Sequence, residues 1–118
     1  MQKFLFLFFM ILSVSLVSQS NSVVISEVYG GGGGTGATTP FKNDYVEIYN
    51  KTDKDIDMKD WSIQYNSASG TNNYQLNIFS GKIKAKSFFL IQLGGGTVGA
   101  DLPEADFIGN LNLSATNG

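Results

Sequence analysis

Trp61-Ser62-Ile63-Gln64-Tyr65 sets a large apolar-bodied side chain at every second position, with a polar residue in each gap. That period of two puts Trp61, Ile63 and Tyr65 on one face of a half-buried β-strand and Ser62 and Gln64 on the other. The same pattern continues on both sides. Upstream, Tyr45-Val46-Glu47-Ile48-Tyr49 places Val46 and Ile48 on one face and Tyr45, Glu47 and Tyr49 on the other. Before it, Val23 and Ile25, with Val28 and Tyr29, make a β-branched run that ends in the glycines Gly30 to Gly34. Downstream, Tyr74, Leu76 and Ile78 alternate with Gln75 and Asn77, and Phe88 to Leu93 is a nearly continuous apolar run of the kind found in central strands. Leu111 and Leu113 alternate with Asn110, Asn112 and Ser114 in a last short strand. Polar stretches, most of them containing glycine, separate these runs at the spacing of a sandwich, and no ten-residue stretch has helical period. The expected class is all-β.

Residues 1–20 are read as an export signal. Lys3 supplies the positive start, and Phe4 to Val17 is apolar except for Ser13 and Ser15. This run has the length of a signal h-region and falls short of the ~18 residues a membrane-spanning helix needs, so no membrane anchor is expected in the chain. Ser18-Gln19-Ser20 offers the small-x-small pattern of a cleavage site, placed after Ser20. The mature part, 21–118, is then one domain with one core, exported to the extracellular space or the cell surface.

Composition excludes several chemistries. The chain has no cysteine and no histidine, hence no disulfide, thiol nucleophile, zinc-cysteine site or imidazole base. All eight cationic residues are lysines, against ten acids. Without a basic face or arginine forks the chain is not expected to bind nucleic acid.

Three features invite a site reading. Gly31, Gly33 and Gly36, and again Gly94, Gly96 and Gly99, match the G-x-G-x-x-G spacing of dinucleotide loops. That mechanism needs a helix whose amides meet the pyrophosphate, and both loops run into non-helical sequence containing Pro40 or Pro103. No nucleotide or other cofactor is expected, and the loops are read as flexible surface. Asp53, Asp55 and Asp57, with Asp60 beyond them, are the candidate metal ligands, because carboxylates at alternate positions of a tight loop can converge on calcium. Met58 stands where such a loop needs glycine, Gln64 where it needs a bidentate glutamate, and Lys51, Lys54 and Lys59 interleave, so a solvated turn is preferred. Glu27 and Glu47 are a conceivable carboxylate pair for glycosidase-type chemistry, but outward or sheet-edge strand positions explain them better. Trp61 is assigned to the core, with Ile63 and Tyr65 on its face.

The order of the segments is similar to that of a known family. Val24-Ile25-Ser26-Glu27-Val28-Tyr29 before glycines, Asn43-Asp44-Tyr45-Val46-Glu47-Ile48-Tyr49-Asn50, and Ile56-Asp57-Met58-Lys59-Asp60-Trp61-Ser62-Ile63-Gln64-Tyr65 together resemble a lamin-tail domain. Gly81-Lys82-Ile83, Phe88-Phe89-Leu90-Ile91-Gln92 and Leu113-Ser114-Ala115-Thr116-Asn117-Gly118 extend the likeness over the whole mature chain. The resemblance implies an immunoglobulin-like β-sandwich and a structural role for the acidic turn before Trp61. Lys59-Asp60 departs from the small residue and glycine usual there. The family also continues with another apolar strand where this sequence stops, so the sandwich is expected to lack its last strand at the C-terminus, as a fragment would.

Exported relatives sit beside nucleases and other phosphoesterases or on cell surfaces, in attachment or targeting. The expectation is therefore a non-catalytic secreted or cell-surface module, with an unidentified protein or a surface glycan as partner. Two rivals are an N-terminal accessory domain of a secreted nuclease or phosphoesterase, and a calcium-dependent carbohydrate-binding module using Asp53, Asp55 and Asp57. Asn50-Lys51-Thr52 and Asn112-Leu113-Ser114 would be glycosylation acceptors in a eukaryotic host.

Overall fold

Eight strands account for the regular structure of the computed structural model, which describes residues 22–35, 39–68 and 74–114. They are β1 (Val23–Tyr29), β2 (Asn43–Asn50), β3 (Ile56–Asp57), β4 (Trp61–Tyr65), β5 (Gln75–Phe79), β6 (Lys82–Ile83), β7 (Phe88–Gly95) and β8 (Phe107–Ile108). No helix occurs among the described residues. The expected export signal, residues 1–20, and its cleavage position lie outside the described residues. So do Gly36 and Ala115 to Gly118.

The strands form a four-stranded sheet in the order β1-β2-β7-β8 and two ribbons, β3-β6 and β4-β5. Pairing is antiparallel except between β7 and β8, which run parallel. Val46 and Ile48 of β2 and Phe89, Ile91 and Leu93 of β7 turn one face of the large sheet inward. There they meet Phe79 of β5, Ile83 of β6, Met58 and Leu111 in one buried cluster. Apolar side chains from facing layers thus share a single core, the arrangement of a β-sandwich. The all-β, immunoglobulin-like expectation holds.

Several local expectations are corrected. Leu76 and Ile78 lie on the outer face of the β4-β5 ribbon, 50% and 63% exposed, while Phe79 is buried. Period-two geometry forces this choice, because Phe79 cannot enter the core together with its even-numbered neighbours. Its ring packs against Phe89 and Phe107, with centroids 6.1 and 5.5 Å away, and Asn77 on the same face accepts the Asn110 N–H at 2.9 Å. Among the described residues the last strand is β8, and the Leu111-Leu113 stretch forms none. Leu111 is nevertheless buried, and its carbonyl accepts the Gly94 N–H at 2.7 Å. Phe88 to Leu93 is central in the sheet as expected, but only Phe89, Ile91 and Leu93 are buried and Phe88 stands exposed.

The two glycine runs are not loose. Gly33, at φ 68°, and Gly96 approach so closely that a Cβ on either would overlap the backbone of the other. Gly33 N–H donates to the Phe41 carbonyl and Gly96 N–H to the Lys42 carbonyl, both at 2.9 Å. Glycine is needed here for backbone contact between the loops.

Candidate functional site

An open groove lies where β1 and β4 face each other. Val23, Val24 and Ile25 form one wall and Trp61, Ser62, Ile63 and Gln64 the other. Between them is a groove of about 250 Å³, floored by Val46, Ile48, Phe79 and Ile91. Consecutive residues of both strands, inward- and outward-pointing alike, line it, so the strands present their edges to it. Among the described residues β1 pairs only with β2, and β4 only with β5.

The edge position of β1 explains why its core-side residues are uncovered. Ile25 is opposite Ile48 and Val28 opposite Val46, yet they remain 66% and 59% exposed. A bulge between Ile25 and Glu27 keeps both on that face although they are three residues apart. Trp61, expected in the core, is 38% exposed and forms the groove's rim, because no described strand lies beyond β4 on that side. At the other end of β4, Tyr65 Oη accepts the Ser114 N–H at 3.0 Å, and a Cβ on Gly30 would press on the Ser114 carbonyl. Ser114 thus sits between the end of β4 and the residue following β1.

On the opposite face of the large sheet Glu27 and Glu47 are direct cross-strand partners. Tyr45 Oη donates to Glu27 at 2.7 Å, and Ser26 Oγ donates to Glu47 at the same distance. Tyr29 stacks on Tyr45 with centroids 5.4 Å apart, and Phe41 meets both rings edge-on. The bond to Glu27, with burial behind it, pushes the Tyr45 phenol up to about 12. Tyr45 therefore stays protonated at neutral pH and holds Glu27 in place as a donor.

The acidic turn sends its carboxylates to separate partners. Asp55 accepts the Ala85 N–H at 3.0 Å and lies 3.6 Å from Lys84 Nζ; the amide bond and that ammonium hold its carboxyl below the usual range. Asp53 faces Lys86 Nζ at 3.4 Å, and Asp57 accepts the Lys59 N–H at 3.1 Å. No group of three acidic side chains placed to share a metal ion occurs among the described residues. Asp60 has φ 58°, the left-handed conformation glycine would favour, and its N–H donates to Ser80 Oγ.

Two residues escaped the sequence reading because polar side chains inside strands look like surface. Asp44 is buried and accepts Gly32 N–H at 2.6 Å and Leu113 N–H at 2.7 Å, tying the glycine loop to the chain that leads to Ser114. Asn50 is fully buried; its amide donates to the carbonyls of Lys54 and Lys84, and its oxygen accepts from Thr52 N–H and Oγ1. A buried side chain engaged on both ends is closed to glycosylation in the folded state. The only available signal was position: both occupy the same strand parity as Val46 and Ile48.

No curated protein matches this chain. The sequence profile of the Lamin Tail Domain matches residues 17–118, most of the chain. With the all-β sandwich that surrounds the groove, that match over nearly the whole sequence means that the chain belongs to the lamin tail domain family.

Proposed function

We propose that this protein is an exported, non-catalytic module that attaches to a partner polypeptide through the groove between β1 and β4. Lamin tail domains are immunoglobulin-like β domains and typically act as non-catalytic interaction modules. Export rests on the apolar run Phe4 to Val17 with its small-residue cleavage pattern. The observation that carries the binding reading is the exposure of Ile25 and Val28 on the core-facing side of the sheet, beside an apolar floor. Apolar surface left uncovered next to a core favours a partner that covers it. At about 250 Å³ the groove falls below the size of ordinary small-molecule pockets and suits a few side chains of a peptide.

A random decapeptide display library selected on the mature chain tests this. Selected peptides are expected to be rich in apolar residues, to change the emission of the sole tryptophan, Trp61, and to lose binding to Ile25→Lys. Ile25 is two-thirds exposed, so the substitution leaves the core intact. Selection that proceeds equally well on Ile25→Lys contradicts the proposal.

A further inference from the structure

A second cavity lies on the other face of the large sheet, away from the groove. Its floor is the outward side of β1, β2 and β7, where Glu27 stands opposite Glu47 and Glu47 opposite Leu90. The Phe41 ring and Leu102 and Pro103, from the chain between β7 and β8, wall a space of about 160 Å³. These walls are pinned to the sheet. Ala100 accepts the Lys42 N–H at 2.8 Å and donates to the Pro40 carbonyl at 2.9 Å, and Asp106 N–H donates to the Leu90 carbonyl at 3.0 Å. The stretch that carries Leu102 and Pro103 is therefore tied down on both sides.

The charge in this cavity is unbalanced. Like charges directly opposite each other on neighbouring strands, with Cβ atoms about 5 Å apart, repel. The ion pairs among the described residues join Lys42 to Asp101, Lys84 to Asp55 and Lys86 to Asp53, and none reaches Glu27 or Glu47. Tyr45 Oη and Ser26 Oγ each donate to one oxygen of a carboxylate and hold the pair in place, but hydroxyl donors bring no charge. A cation between the two glutamates removes the repulsion.

We propose that this cavity binds a primary alkylammonium group, with the ammonium between Glu27 and Glu47 and its aliphatic stem against Phe41, Leu90 and Leu102. The donors of one ammonium serve both carboxylates at once. Apolar walls beside the acids suit a hydrocarbon stem that carries its charge at the tip. A calcium ion fits the same residues poorly, since it takes about six to eight oxygen ligands and the walls here offer carbon. The volume admits one such chain and falls well below that of an ordinary small-molecule pocket. A free aliphatic amine and the lysine side chain of a polypeptide share this chemistry. The site does not depend on the groove, which lies on the opposite face of the sheet.

The test titrates the mature chain with n-butylammonium chloride at constant ionic strength and reads the amide NMR shifts of Glu27, Glu47 and Leu90. Saturable shifts are expected, with a Kd of about 10 mM or tighter. The uncharged probe n-butanol should leave the same amides unmoved. Glu27→Gln and Glu47→Gln should each weaken binding by about tenfold or more. Both variants keep an acceptor for Tyr45 or Ser26, so the sheet stays intact. Asp101→Asn, which removes an exposed acid elsewhere, should bind as the parent does. Nα-acetyl-lysine N-methylamide separates the sources. Binding at least as tight as that of butylammonium assigns the site to a lysine side chain, and binding of butylammonium alone assigns it to a free amine. An equal response to butanol makes the cavity a plain apolar dent and overturns the proposal. Equal weakening in Asp101→Asn reduces the effect to net charge, and shifts that never saturate mean no site; either result also overturns it.

Discussion

Replacing Asp44 should loosen two distant parts of the chain at once. Its carboxylate is 3% exposed and accepts two backbone amides, Gly32 N–H from the loop after β1 and Leu113 N–H from the chain's final described stretch. A hydrogen bond to a charged group contributes about 1.5 to 3 kcal/mol, so losing both bonds in Asp44→Ala costs about 3 to 5 kcal/mol once partial access of water to the amides is allowed. For a domain of this size that corresponds to a fall in Tm of roughly 15 to 30 °C. Asp44→Asn keeps one acceptor but turns an amino group toward the second amide, and about 2 to 3 kcal/mol is expected. Urea denaturation followed by Trp61 fluorescence reads both values. Asp101→Asn is the control, because the Lys42–Asp101 ion pair is exposed and should contribute under about 1 kcal/mol. An Asp44→Ala variant within about 0.5 kcal/mol of the parent would refute the reasoning, since it would mean that water replaces the carboxylate at both amides.

Asn50→Ala should destabilise by about 2 to 4 kcal/mol, because it strips partners from the carbonyls of Lys54 and Lys84 and from Thr52, and thermal unfolding checks this. Spectroscopic titration of the five tyrosines should find one that ionises only near pH 12, and Glu27→Gln should bring it down. Since folding raises that pKa, Tyr45's contribution to stability is full below about pH 10 and disappears as pH rises through 12. Asp55 has the opposite sign: its carboxyl is held below the ordinary value, so its contribution is present above about pH 4 and is lost on further acidification. Asp55→Asn should therefore flatten the acid limb of the stability profile measured by urea denaturation. Gly33→Ala should destabilise by more than 1 kcal/mol, as a positive φ and an overlap with Gly96 both oppose the methyl group, and its urea midpoint shows whether it does.

The parts of the fold legible in the sequence are those where one strand face is buried along its whole length. Val46 and Ile48, or Phe89, Ile91 and Leu93, announce their face because nothing competes for it. β5 misled because Leu76 and Ile78 gave a regular pattern, while a single Phe79 out of phase, seated between Phe89 and Phe107, decided the orientation. β8 pairs in parallel with β7 after a crossover, a contact that no local pattern encodes. The groove was invisible for a related reason: Ile25 and Trp61 look like core residues, and only strand order shows that each lies beside an edge. Asp44 and Asn50 were passed over because a buried polar group is recognised by its partners, which lie far along the chain.

The claim on which the functional account depends is that the apolar groove beside Ile25 takes up a partner's side chains. Trp61 emission of the mature chain and of Ile25→Lys, each titrated with one peptide selected on the parent, tests it directly. The account predicts a saturable change on the parent and none on the variant. An equal response of the two would contradict the account.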